Sequence, residues 1–218
     1  MTFHIITLFP RAFESYLGES IIKRAIEDGK IAFKFYNPRD FADDKRRRID
    51  RPPYGGGPGM VIQALPVIRA VKDATNKIKN RRSKCKIIWL SPDGKQFTNE
   101  YAEAIAGRFK DIVLICGRYE GIDARAREAL KAEKVSVGPY VLTGGELPAL
   151  VVADVISRRL PGVLGGQDSL EERRIASSDV YTRPEVFQWN GKKYRVPKIL
   201  LSGHHKKIED WRKSRSSR

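Results

Sequence analysis

Short apolar runs alternate with amphipathic stretches along most of the chain. Phe3 to Phe9 is apolar and β-rich, so it predicts a first strand. Pro10 suits the first turn of a helix running to about Asp28, with Gly29 as its stop. Ile31 to Tyr36 alternates as a strand does, and Asn37 to Gly59 reads as a long loop. A helix over Ala64 to about Lys79 precedes a short strand, Lys86 to Leu90, which a Ser91-Pro92-Asp93-Gly94 turn should end. Helix Asn99 to Phe109 and buried strand Asp111 to Cys116 follow, then another helix and a short strand at Val135 to Val137. Glu146 to Leu160 is apolar almost all round, which predicts a helix buried in a core or at a subunit interface. Strands alternating with helices of this length argue for an α/β domain built on a mostly parallel sheet.

The pattern changes after Leu160. Pro161 to Gly166 looks like a linker, and the chain beyond about Ser177 is short, basic and polar. A helix from about His205 to Lys213 should close this second unit, with Ser214 to Arg218 disordered.

The 218 residues are 41% hydrophobic and 31% charged, an ordinary balance for a chain that buries a core. Charge is less ordinary: 42 Lys plus Arg against 26 Asp plus Glu give a formal +16. A domain this basic usually meets a polyanion, with nucleic acid ahead of an anionic membrane. The basic runs Lys45 to Arg48, which includes Arg46 and Arg47, Lys79 to Lys84 and Lys192 to Arg195 are candidate phosphate contacts. No apolar run approaches the ~18 residues of a membrane span, so no membrane partner is expected. Cys85 and Cys116 lie in or beside apolar runs and have no CxxC partner. They read as small buried hydrophobes rather than a disulfide or metal ligands, in a cytoplasmic protein.

Three glycine-rich loops carry the candidate chemistry. Tyr54-Gly55-Gly56-Gly57-Pro58-Gly59-Met60 could approach a flat base closely at Gly59, or be a plain connector. Asp50 nearby could accept from a base edge or cap a turn. Cys116-Gly117-Arg118-Tyr119-Glu120-Gly121 directly follows a buried strand, where open parallel sheets bind ligands. Arg118 and Glu120 add charge at that rim, or simply pair with each other at the surface. The third loop, Val137 to Glu146, could hold a purine by main-chain hydrogen bonds, or merely start a helix. None is a phosphate loop or a G-x-G-x-x-G turn, so a kinase or dehydrogenase is disfavoured. No Ser-His-Asp arrangement stands out: His4 is in a strand, and His204 and His205 read as surface groups.

In order and spacing these loops resemble the tRNA (guanine-N1)-methyltransferase family, TrmD. The motifs are Asn37 to Phe41, Tyr54 to Met60, Leu90 to Pro92, Cys116 to Asp123, Tyr140 to Glu146, Leu160 to Gly165, Tyr181-Thr182-Arg183-Pro184-Glu185 and Leu201 to His205, which together span nearly the whole chain. The resemblance implies a SPOUT-class fold: a parallel sheet tied in a deep trefoil knot, plus a small, mainly helical C-terminal domain. It divides the chain into a methyltransferase domain over 1–160, a linker over 161–176 and a tRNA-binding domain over 177–218. It further implies a homodimer, tRNA as partner, and methylation from S-adenosylmethionine of N1 of the guanosine 3′ of the anticodon, position 37. Carried over by motif, Pro92, Gly117, Tyr119, Gly121, Val137, Gly138, Pro139, Tyr140, Val141, Leu142, Gly144, Gly145 and Pro148 would cradle the cofactor. Glu120 would sit near cofactor and base, Arg158 would be the catalytic arginine, and Asp50, Gly59, Arg46, Arg47 and Arg183 would contact tRNA.

Guanine N1 is a poor nucleophile until a base removes its proton. The family's aspartate position falls here on Arg173, in Glu171-Glu172-Arg173-Arg174, and an arginine cannot serve. Glu172 is favoured for the role, with Glu171 and Asp179 as alternatives or an enzyme weak or altered in specificity; the rival readings are another SPOUT methyltransferase acting on a different base or on ribose, and an RNA-binding protein that has lost catalysis. Pro139 and Arg51-Pro52 also depart from the family pattern. Family activity depends on magnesium, yet the sequence shows no compact carboxylate cluster, so any magnesium would be shared with substrate and no protein metal site is expected.

Overall fold

A computed structural model describes residues 1–78, 85–165 and 179–215. The chain divides into two compact units, Met1–Leu164 and Gly165–Arg218. The basic run 79–84 and the linker carboxylates Glu171 and Glu172 lie outside the described residues, as does Arg173.

The first unit is built on one parallel sheet. Its strands are β1 (Thr2–Ile6), β2 (Ala32–Tyr36), β5 (Cys85–Gln96), β6 (Asp111–Ile115) and β7 (Glu133–Ser136), in spatial order β2-β1-β6-β5-β7. Alternation along each strand feeds two cores. Phe3, Ile5, Ile88, Ile112 and Leu114 face one side, under α1 (Glu14–Leu17), α2 (Ser20–Glu27), α4 (Asn99–Arg108) and α6 (Glu146–Ser157). Ile6, Trp89, Val113 and Ile115 face the other, under α3 (Ala64–Asn76) and α5 (Ala124–Leu130). Fully burying one such side chain stabilises by about 1.5–3 kcal/mol, so the two cores dominate the energetics of the unit.

The order places β7 beyond β5, so the chain leaving β6 passes over β5 before pairing. The ends of β5, β6 and β7 are thereby gathered on one edge, and their loops meet there.

Several expectations are corrected. The helix expected over Pro10 to Asp28 is broken into a 3₁₀ turn at Pro10–Phe13, then α1 and α2. Gly18 caps α1 and Ser20 takes a left-handed φ of 52°, which an unbroken helix cannot contain. The loop expected over Asn37 to Gly59 holds a 3₁₀ turn at Pro38–Phe41 and strand β3 (Asp50–Arg51), which pairs antiparallel with β4 (Val61–Ile62). The strand expected to stop at Leu90 continues to Gln96. Val135 of β7 pairs with both Leu90 and Lys95, so Ser91 to Gly94 forms an excursion spliced into β5 rather than its end. The apolar helix α6 buries Ala149, Val152, Ala153 and Ile156 but leaves Leu147 and Val151 exposed, so it is not covered all round within one chain.

Both cysteines are free. Cys116 is buried and Cys85 half-buried, and burial pushes the Cys85 thiol up to about 11. His4 is buried, its ring nitrogens 3.2 Å from Tyr36 Oη and 3.0 Å from Asp111 Oδ1. Among the described residues no helix is long and apolar enough to cross a membrane.

The second unit holds a hairpin, β8 (Val186–Trp189) and β9 (Lys192–Arg195), followed by α7 (Lys198–Leu201) and α8 (His205–Ser214). The hairpin was not anticipated, and the unit is therefore not simply helical. Ser214 ends α8, and Arg215 donates to Asp179 at 3.2 Å and lies over the Trp211 ring, so neither residue is the disordered tail expected of them.

Candidate active site

The loops after β6 and β7 and the excursion in β5 enclose a cavity of about 340 Å³. That volume is at the lower end of the range for small-molecule sites. Pro92 lines it because the excursion lifts it out of the sheet. Gly117, Tyr119 and Gly121 line it from the β6 loop. Val137, Gly138, Tyr140, Val141, Leu142, Gly144 and Gly145 line it from the β7 loop, and Pro148 from the first turn of α6. Of the residues expected to cradle a cofactor, only Pro139 is left out: it is exposed and does not line the cavity.

Much of this wall is main chain held in tight register. Gly145 N donates to Gly117 O at 3.0 Å, joining the two loops. A Cβ on Gly145 would stand 2.6 Å from Cys116 Cα, so no side chain fits without moving backbone. Gly138 lies against the Tyr140 ring, while Ser136 Oγ donates to Gly138 O at 2.9 Å. Tyr119 takes a left-handed φ of 59°, uncommon for a side-chain-bearing residue and characteristic of functional loops. Gly145→Ala should destabilise the fold by about 1–3 kcal/mol, because the clash with Cys116 Cα pushes apart the loops that form the wall. Urea denaturation checks this, and a parental midpoint would contradict it.

The β6 loop is also tied to the Gly-rich loop over Tyr54 to Met60. Glu120 N donates to Met60 O at 3.0 Å, and Ile62 N to Gly121 O at 3.0 Å. The Glu120 carboxylate lies directly over Gly59, with Oε1 2.5 Å from where a Cβ would be. Gly59 has φ +80°, a conformation that favours glycine, whereas its close neighbour is the movable end of the Glu120 side chain. Glu120 therefore stands at the mouth of the cavity, beside a backbone that a flat group can reach.

Arg118 does not pair with Glu120. Its Nε lies 2.9 Å from Glu146 Oε2, out of line for a hydrogen bond but in charge contact. Its Nη1 donates to Thr143 O at 3.2 Å, and its guanidinium sits 4.6 Å from the centre of the Phe9 ring. Glu146 is 3% exposed, and its Oε1 accepts from Thr7 Oγ1 at 2.7 Å, which in turn accepts from Phe9 N at 3.0 Å. A buried strut thus runs from the end of β1 to the β7 loop. Its sequence signals were slight: one threonine in an apolar strand and one acid at the head of an apolar helix.

The sequence of the whole chain, residues 1–218, matches the profile of the family described as tRNA (Guanine-1)-methyltransferase TrmD. The chain belongs to the TrmD family. The tRNA (guanine-N(1)-)-methyltransferase of Clostridioides difficile (strain 630) is 44% identical over 224 residues, covering all of this chain and 93% of the relative. That of Thermomicrobium roseum is 46% identical over 216 residues, covering 98% of this chain and 78% of the relative. That of Pseudoalteromonas atlantica is 42% identical over 221 residues, covering 98% and 79%.

Of the other expected site residues in the first unit, Arg158, Asp50, Arg46 and Arg47 do not line the cavity. Arg158 caps the C-terminus of α6, half-buried, and does not line it. Asp50 opens β3. Arg46 N donates to Asp44, and Arg47 Nη1 donates to Asp40 at 3.1 Å. Arg183 is exposed in the second unit, where Asp179 is engaged by Arg215. Glu172 lies outside the described residues. No group of three or more His, Cys, Asp or Glu is placed to hold a metal ion among the described residues.

Proposed function

We propose that this chain methylates N1 of guanosine 37 of tRNA, 3′ of the anticodon, using S-adenosylmethionine held in the cavity at the ends of β5, β6 and β7. The observation that carries this reading is the Glu120 carboxylate over Gly59 at the mouth of a cavity walled by main chain. The cavity's mix of backbone polar groups with Val137, Leu142 and Tyr140 fits a nucleoside cofactor, which when bound supplies an electrophilic methyl group. The gathered loops are the reading's place for the trefoil knot, supported by the crossing of β5 on the way to β7 and by the tight Gly145–Cys116 approach.

Chemistry then falls to the chain's own residues. Glu120 accepts hydrogen bonds from a purine edge and orients it. A carboxylate of the linker, Glu172 by preference, takes the N1 proton as the methyl group is transferred to N1. Arg158 stabilises the negative charge that grows on O6. Arg158 does not line its own chain's cavity, so the reading has a second copy completing the site. The open apolar face of α6, with Leu147 and Val151, supports a homodimer. Residues 1–160 form the methyltransferase domain, 161–176 the linker and 177–218 the tRNA-binding domain. Arg46, Arg47, Asp50 and Arg183 contact the RNA. Magnesium enters with the RNA, and the enzyme works in the cytoplasm.

The test is labelled methyl transfer, with magnesium, to two tRNA transcripts carrying G or A at position 37. Methylation of the G transcript alone, mapped to N1, is expected. Arg173, in the place of the family's aspartate, favours one second reading: a tRNA-binding protein without catalysis. tRNA retention with no transfer to either transcript would select it.

A further inference from the structure

The β8–β9 hairpin exposes an aromatic face that no described residue of its own unit covers. Phe187 pairs with Tyr194 and Trp189 with Lys192, and alternation puts these four side chains on one face. Trp189 is 66% exposed, Phe187 54% and Tyr194 41%. An amphipathic hairpin ordinarily buries such a face. Here the Phe187 and Tyr194 rings stack on each other at 5.1 Å and 13°, and Lys192 Nζ lies 5.4 Å from the Tyr194 ring centre. The turn between the strands is Asn190-Gly191, with φ of 47° and 75°, a two-residue connection that holds the pair in one twisted register. Lys193 and Arg195 project from the opposite face.

The charge around this face is one-sided. From Val186 to Ile208 the sequence has Lys192, Lys193, Arg195, Lys198, Lys206 and Lys207 and no Asp or Glu. Flat, exposed rings interleaved with cations suit a single-stranded segment of nucleic acid, whose bases offer π-faces and whose phosphates meet the cations. A second copy of the chain is a poor occupant, because apposing the two faces would bring like charges together. A lipid surface fits less well, because the face is aromatic and short and has no aliphatic side chain to insert.

We infer that this hairpin is an RNA-stacking platform: Trp189 stacks on an unpaired base of the substrate, while Lys192, on the same face, holds a flanking phosphate. The inference rests on the reading that the substrate is tRNA, and goes beyond it in naming a surface and a mode of contact. The platform acts through affinity, separately from the cavity that binds cofactor.

The test uses the full chain, unmodified tRNA transcript and a salt titration of binding. Trp189→Ala should weaken tRNA binding on the order of tenfold with an unchanged salt slope, and Trp189→Tyr should restore most of it. Lys192→Ala should weaken binding and lower the slope by about one unit. Neither should change titration with S-adenosylhomocysteine. Parental tRNA affinity in Trp189→Ala would overturn the inference while leaving the methyltransferase reading intact. So would a change of oligomeric state in that variant, which would assign the face to a second copy. Loss of binding to phosphatidylglycerol vesicles with tRNA affinity unchanged would assign it to a membrane instead. Failure of the parent chain to bind tRNA would bring down the platform together with the reading it rests on.

Discussion

Arg158→Ala is expected to lower kcat for methyl transfer by about 10²–10³-fold, the usual loss when one fixed donor to a developing oxyanion is removed. The affinity for S-adenosylhomocysteine should stay within about twofold, because the proposed role is toward guanine O6 in the transition state rather than toward the cofactor. The position is a prepared one. Arg158 N donates to Asp154 O at 3.0 Å at the end of α6, and Tyr16 Oη donates to the Asp154 carboxylate one turn earlier. That hydrogen bond, with burial, pushes the Tyr16 phenol up to about 12, and the Arg158 charge opposes the rise. Tyr16 is therefore a neutral donor at working pH. Arg158→Lys keeps the charge but loses the planar fork, so it should recover only part of the rate. The loss should be the same from pH 6.5 to 8.5, because arginine does not titrate there. Single-turnover kinetics with excess enzyme measure the step directly. A parental rate in Arg158→Ala would remove it from the mechanism, and a selective loss of cofactor binding would give it a different job.

The second large effect is expected at Glu146. Removing one member of a buried ion pair leaves the other uncompensated, at a typical cost of 3–5 kcal/mol. Arg118 is a quarter exposed and keeps its bond to Thr143 O, so about 3 kcal/mol is expected for Glu146→Ala. Glu146→Gln retains an acceptor for Thr7 while removing the charge, and should cost less. Both variants should also bind cofactor more weakly, because Arg118 no longer has a fixed anchor while it holds the β7 loop. Urea denaturation and cofactor titration read the two effects. A double-mutant cycle with Arg118→Met separates the pair's coupling from the cavity left behind. An unchanged denaturation midpoint in Glu146→Ala would show that the strut does not hold the fold, and unchanged cofactor affinity in a folded Glu146→Gln would show that it does not hold the loop.

The parallel sheet was legible because its strands are buried on both faces and read as continuous apolar runs, as at Ile112 to Ile115. The cavity was legible where glycine is required by geometry. What was not legible depends on partners distant in sequence. Ser91 to Gly94 has turn chemistry, and it does leave the strand. Only Val135, about forty residues away, brings the strand back into register. Arg118 has Glu120 two positions off and pairs instead with Glu146, because the turn at Tyr119 aims Glu120 at Gly59. The hairpin was signalled by Asn190-Gly191 between alternating aromatic and polar residues, but in a segment whose basic composition reads as loop. The apolar content of α6 told of burial without telling which molecule supplies it.

A wall made of main chain has a consequence for inhibition. Substitutions change side chains, and the groups a cavity-filling compound would meet at Gly117, Gly138, Gly144 and Gly145 are peptide groups, with Gly145 N bonded to Gly117 O across the two loops. To escape such a compound a variant would have to alter the path of the loops. At Gly145 even a methyl group collides with Cys116 Cα, so the substitutions most able to disturb the compound also disturb the enzyme's own ligand. Resistance and activity are coupled at this site by geometry, and a compound that hydrogen-bonds to backbone has fewer single-step escapes than one that reads Tyr140 or Leu142.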